Sequence, residues 1–178
     1  SDKAEAEKII AECSNQLATV ISVNGEEREE KAPLLYDLTT LQRDANRILG
    51  YTAQQTLDYA QSLYEKKLCT YPRTDSRYLT EDMENTIDAL LKVSAKLTSN
   101  DLKTHEFTTY KVCDNRKVSD HHAIIPTFTA GNVHLFELNK GERDILKMIA
   151  LRLICSVAEP YVYYSETAVI RCGNTDFK

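Results

Sequence analysis

The sequence predicts an α+β protein in which a mainly helical segment is inserted into a strand-rich one. Four stretches in the middle of the chain carry helix start signals and helical apolar spacing, whereas a short β-branched run lies near each end. With 178 residues, 42% of them hydrophobic, the chain is long enough for one domain or two small ones with a buried core. The predicted strand-rich segments cover residues 1–32 and 161–178, and the predicted helical domain covers 33–160.

The first predicted helix follows a possible capping box. Thr39 has Gln42 three residues later, a spacing that lets the two side chains bond each other's backbone N–H groups at a helix start. The apolar spacing continues over about 40–49, and Gly50 supplies the left-handed residue that often ends a helix.

A second helix is predicted directly after the first. Thr52 with Gln55 repeats the capping pattern, and apolar residues recur at helical spacing over about 53–68. Two helices joined by so short a turn form a helix-turn-helix-like corner. Such a corner serves either simple helix packing or insertion into a DNA groove, and the sequence leaves both open.

Two more helices and two strands complete the prediction. Acidic residues after Thr80 favour a helix over about 81–97, because acids stabilise a helix N-terminus. Asn139 with Glu142 begins a fourth helix that extends to Glu159-Pro160. The two predicted strands are Leu17–Val23, ended by Asn24-Gly25, and Thr167–Cys172, ended by Gly173-Asn174.

The charge is unevenly distributed along the chain. The formal net charge is −5, and residues 1–30 alone hold eight acids and three bases, so the remainder is balanced. A local basic and aromatic stretch interrupts this balance at residues 66–77, a composition that suits a phosphate backbone with unstacked bases. Its members are Lys66, Lys67, Tyr71, Arg73 and Arg77, against Asp75 alone.

Composition also narrows the class of protein. No apolar run approaches the roughly 20 residues of a membrane-spanning helix, and the first residues lack a signal-peptide pattern. The five cysteines are widely spaced, without a Cys-x-x-Cys pair, which argues against a disulfide framework or a zinc site. The sequence therefore predicts a soluble, cytoplasmic protein with reduced thiols and no membrane partner.

The densest cluster of reactive side chains lies in the segment Thr70–Tyr78. Pro72 lacks a backbone N–H and disfavours a helical Tyr71, so Tyr71 is expected on a loop just past a helix. A phenol, with an ordinary pKa of about 10, is a poor nucleophile at neutral pH. A nearby guanidinium such as Arg73 stabilises the phenolate and neutralises charge on a phosphoryl group. Spacing alone leaves open whether Tyr71 is a nucleophile or a packed, hydrogen-bonding tyrosine.

A second reactive cluster contains the adjacent pair His121 and His122, preceded by Ser119 and Asp120. Neighbouring side chains on a regular element point in different directions, so the two imidazoles do not readily chelate one metal. A protonated histidine bound to phosphate fits the pattern better than a zinc site. The alternative is one surface histidine and one packed histidine.

Four segments, taken in chain order, resemble those of type IA DNA topoisomerases. Leu68–Leu79, with the sequence LCTYPRTDSRYL, is similar to the family's active-site tyrosine segment, and its Tyr-Pro-Arg form resembles the topoisomerase III branch. The other three are residues 36–42 (YDLTTLQ), residues 56–64 with the core AQSLY, and residues 120–127 (DHHAIIPT). Together they span most of residues 33–155.

The resemblance implies roles for individual residues. Tyr71 would attack a phosphodiester of single-stranded DNA, form a 5′-phosphotyrosine link and free a 3′-hydroxyl, and the break would reseal without ATP. Arg73 and His121 would contact the scissile phosphate, and Thr74 and Asp75 would support the tyrosine loop. The further residues predicted to contact DNA are Thr39, Thr40, Gln42, Lys67, Arg77 and His122.

The resemblance also implies missing parts. The family's Toprim domain holds Mg²⁺ through acidic residues, and this sequence has no glycine-rich strand followed by an Asp-x-Asp cluster. The chain is therefore expected to be a fragment, inactive alone and without its own cofactor. Its expected partners are single-stranded DNA and the remaining Toprim and gate domains, at the nucleoid if the source is bacterial.

By resemblance, the helical segment is the winged-helix, catabolite-activator-like tyrosine domain. The two strand-rich segments are then part of the arch-shaped gate domain. In the whole enzyme, strand passage through this gate would relax or decatenate DNA.

Two other functions stay open at this point. A non-catalytic winged-helix module would bind DNA with Tyr71 stacking on a base, and it would form no covalent adduct. A purely structural interaction domain would show no salt-dependent DNA affinity.

Overall fold

The computed structural model describes residues 2–102 and 106–178, and these contain both α-helices and a small antiparallel sheet. The predicted mixture of helix and strand is therefore confirmed. The chain divides into two compact units, a strand unit of Ser1–Glu30 with Pro160–Lys178 and a helical unit of Lys31–Glu159. The described elements are α1 (Lys3–Cys13), β1 (Thr19–Glu30), α2 (Leu38–Leu49), α3 (Ala53–Glu65), α4 (Glu84–Thr98), α5 (Lys140–Val157), β2 (Tyr161–Cys172) and β3 (Thr175–Phe177).

The strand unit is built on a long two-stranded ladder. β1 pairs antiparallel with β2 from Thr19 opposite Arg171 to Glu30 opposite Tyr161, and β3 adds to β2 after a tight turn. The sequence predicted that β1 ends at Asn24-Gly25, but the strand continues to Glu30. The Tyr164 side chain of β2 lies over Gly25, where a Cβ would fall 2.4 Å from its ring. Glycine here permits close approach within a continuing strand, not a turn.

Helix α1 was not predicted, because it has no apolar stripe. None of its residues is buried. Its start is capped by the Asp2 side chain, which accepts from the backbone N–H of Ala4. Two ion pairs at four-residue spacing, Lys3–Glu7 and Lys8–Glu12, run along its surface.

The four predicted helices of the helical unit are all present, with corrected ends. The capping box of α2 is formed by Asp37 and Thr40, so the prediction that Thr39 and Gln42 form it was wrong. Asp37 Oδ1 accepts from the Thr40 backbone N–H, and the Asp37 backbone N–H donates to Thr40 Oγ1 at 3.2 Å. Asp37 with Thr40 and Thr39 with Gln42 both have the three-residue spacing of a capping box, and the helix starts at the earlier pair.

Helix α3 ends at Glu65, three residues before its predicted end. Lys67 has φ +59°, in the left-handed region, and the Leu68 backbone N–H donates to the Leu63 carbonyl at 2.8 Å. This turn directs the chain out of the helix and into the tyrosine segment. The helix predicted over about 81–97 instead begins as a 3-10 turn, Glu81–Met83, and continues as α4.

The core of the helical unit has two parts, and α5 contributes to both. Ile145, Leu146 and Ile149 belong to the part that includes α2 and α3 residues. Leu153 and Val157 belong to the part that includes α4 and the residues around Leu35 and Leu79. The boxes predicted at Thr52 with Gln55 and at Asn139 with Glu142 are confirmed as the starts of α3 and α5.

Among the described residues, no helix is long and apolar enough to cross a membrane.

Candidate active site

The backbone just before Tyr71 is fixed by a distant segment of the helical unit. The Thr70 backbone N–H donates to the Ile125 carbonyl at 3.0 Å. The Thr70 hydroxyl donates to the Ala123 carbonyl at 3.1 Å and accepts from the Ile125 N–H at 3.0 Å. These bonds pair residue 70 with residues 123–125 as in a short strand pair, so the position of the tyrosine depends on the histidine segment.

Thr74 fixes the backbone on the other side of Tyr71. Its side chain is buried, and its hydroxyl donates to the His121 carbonyl at 2.9 Å while accepting from the Ser76 N–H at 3.1 Å. Its carbonyl accepts from the Leu38 N–H at 3.1 Å, in the first turn of α2. One residue therefore joins the tyrosine loop, the histidine segment and the start of α2. The supporting role predicted for Thr74 stays a prediction.

The half-buried Tyr71 ring contacts two other rings. The His121 ring lies 4.5 Å away between centroids, at 48° between planes. The Tyr64 ring of α3 lies 5.3 Å away in an edge-to-face arrangement at 74°. Residues 64, 71 and 121 thus form an aromatic row, and the predicted nucleophile and the predicted phosphate-binding histidine are in direct contact.

A cleft of about 460 Å³ opens beside this row. Arg73, Asp75 and His121 line it with exposed side chains, and the Ser119 hydroxyl donates to Asp75 Oδ1 at 3.2 Å. Arg73 supplies a cation that an anionic phosphate would pair with in this cleft. The full lining is Asp37, Leu38, Thr39, Arg73, Thr74, Asp75, Ser119, Asp120 and His121.

The residues predicted from the segment at the start of α2 divide into two groups. Thr39 is exposed and lines the cleft. Thr40 is buried, and its hydroxyl is bonded to Asp37 in the capping box. The Gln42 side chain donates to the Ala53 carbonyl at 2.9 Å. Thr40 and Gln42 thus have structural contacts that explain their presence without DNA.

The other predicted DNA-binding residues lie at varied positions. Arg77 is half-buried, and its Nε donates to the Leu35 carbonyl at 3.1 Å. His122 is half-buried with Nδ1 2.8 Å from the Ala123 carbonyl, and it is not among the residues that line the cleft. Lys67 is exposed, whereas its neighbour Lys66 pairs with Glu142 at 2.6 Å. The basic stretch predicted from the sequence is therefore divided, with only some of its members on the surface near Tyr71.

Cys69 lies two residues before Tyr71 and is buried. Burial raises the pKa of its thiol to about 12, because an apolar environment disfavours the thiolate. The thiol therefore stays protonated at neutral pH, and Cys69 does not compete with Tyr71 as a nucleophile.

The described residues contain no group of three or more His, Cys, Asp and Glu side chains that could hold a metal ion. Asp75 and Asp120 line the cleft together with Arg73. This set does not fit a divalent metal ion, because the guanidinium would repel it. We derive no catalytic step through a metal in this chain.

Sequence reasoning missed two contributors to this site. Asp37 lines the cleft and caps α2, although its spacing to Thr40 was a readable signal. Tyr64, at the end of the segment 56–64, was not predicted as a site residue, yet it is 41% exposed and its ring contacts the Tyr71 ring. No local pattern could have shown this contact, because it depends on the turn after α3.

The family model for DNA topoisomerase matches residues 1–178. The chain belongs to the DNA topoisomerase family.

Individual relatives of this chain belong to the topoisomerase III branch of the family. DNA topoisomerase 3 of Bacillus cereus is 36% identical over 99% of this chain and 25% of its own length. DNA topoisomerase 3 of Staphylococcus epidermidis is 38% identical over 91% of this chain and 23% of its own length. The resemblance to the type IA enzymes, on the topoisomerase III branch, is thereby confirmed. The chain spans about a quarter of the length of these relatives.

A solved structure shows the same fold. Full-length topoisomerase I from Thermotoga maritima superposes with a TM-score of 0.63 over 99% of this chain and 29% of that protein, at 21% sequence identity. The architecture of this chain is therefore that of one part of a larger topoisomerase.

Proposed function

We propose that this chain supplies the nucleophilic tyrosine of a type IA topoisomerase, and that Tyr71 is that nucleophile. The observation that carries the proposal is the contact between the Tyr71 and His121 rings, beside a cleft that Arg73 also lines. An imidazole and a guanidinium line this cleft, and a phenol contacts the imidazole; these are groups that can stabilise and attack a phosphodiester. Thr74 joins the tyrosine loop to the histidine segment through its bond to the His121 carbonyl.

In the proposed reaction, Tyr71 Oη attacks the phosphorus of a single-stranded DNA backbone. Tyr71 gives up its phenolic proton as the new O–P bond forms. The bond from phosphorus to the 3′-oxygen breaks, that oxygen takes up one proton and leaves as a 3′-hydroxyl, and the phosphate becomes linked to the tyrosine. Arg73 and His121 neutralise the charge that gathers on the phosphoryl oxygens. Reversal restores the phosphodiester without ATP, because the phosphotyrosine bond conserves the energy of the broken bond.

The remaining roles follow from the family. The helical unit would be the winged-helix tyrosine domain, and the strand unit would be part of the gate. The Toprim domain, outside this chain, would hold Mg²⁺, and strand passage by the whole enzyme would relax or decatenate DNA, at the nucleoid of a bacterial cytoplasm. The chain alone would be inactive, and Lys67 and Thr39 are the surface residues best placed to contact DNA.

The deciding experiment uses the longer protein that contains this chain and the Toprim part, with magnesium and single-stranded DNA labelled at its 3′ end. The expected product is a labelled, denaturant-resistant protein adduct, because the 5′ phosphate of the labelled piece joins Tyr71. Tyr71→Phe should abolish the adduct, whereas Tyr110→Phe, at an exposed tyrosine, should leave it unchanged.

The alternative function is an outcome of the same experiment. Equal noncovalent DNA binding by the parent and Tyr71→Phe, with no adduct from either folded protein, would replace the proposal with a winged-helix binding module.

The isolated chain is expected to bind single-stranded DNA only weakly, because few cations near Tyr71 are free to neutralise phosphates. We expect a Kd above about 1 µM at physiological salt, measured by fluorescence anisotropy. Tighter binding would show that the chain carries a larger DNA surface than the cleft residues provide.

A further inference from the structure

Tyr64 has no role in the proposed chemistry, yet its ring touches the Tyr71 ring. The two centroids are 5.3 Å apart in an edge-to-face geometry. Tyr64 is not a core residue, because 41% of it is exposed, unlike its neighbour Leu63, which is fully buried. A large side chain at a half-open position gains little from burial, so its contact with Tyr71 is the feature that requires explanation.

The backbone around Tyr71 is fixed, but its side chain is not fixed by hydrogen bonds. Thr70 and Thr74 anchor the flanking backbone to residues 121–125. Within the described part of the chain, the Tyr71 hydroxyl has no hydrogen-bond partner, and the Tyr71 ring packs against the rings of His121 and Tyr64. The direction of the phenol therefore depends on these two rings, since the torsions about Cα–Cβ and Cβ–Cγ have several low-energy states.

The two rings differ in how rigidly they are held. Tyr64 projects from α3, whose start is capped by Thr52 and Gln55 and whose Ala60 and Leu63 are fully buried in the core. His121 is exposed and lies on the cleft, where an incoming phosphate would engage its imidazole. The Tyr64 ring is thus carried by a packed helix, whereas the His121 ring lies at the open cleft.

We infer that Tyr64 is a positioning residue, which holds the Tyr71 phenol in the attacking direction through ring-to-ring contact. This inference rests on the proposed function of Tyr71. An edge-to-face pair is directional, so it restricts the rotation of Tyr71 without occupying its hydroxyl. Misdirection of a nucleophile slows bond formation more than it weakens binding.

The test compares Tyr64→Leu, which keeps apolar bulk without a ring, with Tyr64→Phe, which keeps the ring without the hydroxyl. The longer protein with its Toprim part is mixed with labelled single-stranded DNA, and the rate of adduct formation in a single turnover is measured. Tyr64→Leu should slow the rate by about 3- to 10-fold, the effect of losing one aromatic pair. Tyr64→Phe should restore the parental rate.

A second measurement separates positioning from DNA binding. The Kd for the same DNA is determined in the Tyr71→Phe background, with and without Tyr64→Leu, so that no cleavage intervenes. Positioning predicts an unchanged Kd, and Tyr110→Leu, at an exposed tyrosine distant in sequence, should change neither the rate nor the Kd.

Three results would overturn the inference. Tyr64→Leu could react at the parental rate, Tyr64→Phe could be as slow as Tyr64→Leu, or the slower rate could be matched by a proportionate rise in Kd, as expected if Tyr64 stacks on a base. In each of these cases a parental adduct that Tyr71→Phe abolishes would leave the proposed function standing. Absence of the parental adduct would instead remove the proposed function itself.

Discussion

The helical unit and the strand unit are held together in different ways. Among the residues that the structure describes, every buried hydrophobic residue lies in the helical unit except Cys172, which is in the strand unit. The strand unit has instead a long backbone ladder between β1 and β2, with one register shift between Val20 and Ser22, and with apolar side chains such as Val162 and Tyr164 exposed. The helical unit therefore derives its stability from its own side chains, whereas an isolated ladder of two long strands is marginal in water.

This difference matters for the site. All the residues of the aromatic row and the cleft belong to the helical unit, so the candidate site is built on the part of the chain with the dense core. Hydrogen bonds between distant segments, such as the one from Thr74 to the His121 carbonyl, are reliable only when the surrounding packing fixes both ends. The strand unit contains none of the described residues of this site, so its packing does not have to fix the site's hydrogen bonds.

The largest expected effect contrasts the two units directly. Leu146→Ala, at a fully buried position of α5, should lower the free energy of unfolding of the helical unit by about 3 kcal/mol, because it leaves a cavity. Val162→Ala, at an exposed position of β2, should change stability by less than about 0.5 kcal/mol. Amide hydrogen exchange, read separately for each unit, measures both. Equal losses would mean that the strand unit has a core of its own.

An intermediate effect is expected from the ion pairs. Asp44 pairs with Arg152 and accepts a hydrogen bond from the Tyr36 hydroxyl at 3.1 Å, and both charged side chains are largely buried. Asp44→Ala would leave the Arg152 charge without its partner and should cost about 2–3 kcal/mol, measured by urea unfolding.

The matched control lies in the strand unit. Asp176 pairs with Arg171 at 2.6 Å, and about half of each side chain is exposed. Asp176→Ala should therefore leave the unfolding midpoint unchanged, because water already screens the pair. A large effect at Asp176 with none at Asp44 would reverse the assignment of which unit depends on its side chains.

The smallest expected effect is a pH dependence. Burial opposes ionisation of Glu142, but hydrogen bonds from Lys66, Ser62 and the Asn139 backbone outweigh it and lower the pKa below the ordinary 4.5. A group with a lowered pKa in the folded state stabilises the fold above its unfolded pKa and loses that contribution as the pH falls through the folded value. Stability of the helical unit should therefore decline as the pH falls below about 4.5.

Glu142→Gln isolates this contribution. The glutamine keeps a side-chain oxygen for the α5 capping box but removes the carboxylate, so the variant should show a smaller decline in unfolding midpoint between pH 6 and pH 3. An identical decline in the parent and the variant would assign the acid sensitivity to other carboxylates.

Local signals predicted the elements of the helical unit better than those of the strand unit. Capping boxes and apolar spacing identified the helices because both act within a few residues, as at Asn139 and Glu142. The extension of β1 to Glu30 depends on a partner strand more than a hundred residues away, and no local pattern shows it. Helix α1 was not predicted, because ion pairs and an N-cap stabilise it and it has no buried apolar face.

The site was predicted through resemblance and assembled by long-range contacts. The segments containing Tyr71 and His121 were each recognisable in the sequence. That their rings touch follows from the hydrogen bonds of Thr70 and Thr74 across about fifty residues. Thr39 was predicted as the cap of α2, but the structure uses Asp37, and the neighbouring Leu38 N–H is bound to the distant Thr74 carbonyl.

The pairing of Glu30 with Tyr161 at the end of the β1–β2 ladder has a consequence for the order of folding. The chain between these two partners is the entire helical unit, so in polymer terms that unit is one long hairpin loop. Closing such a loop from an unfolded chain costs entropy that grows with its length. Once the helical unit has folded, the entropy of loop closure has already been lost. The two strands can then pair progressively from Glu30 and Tyr161 towards Thr19 and Arg171.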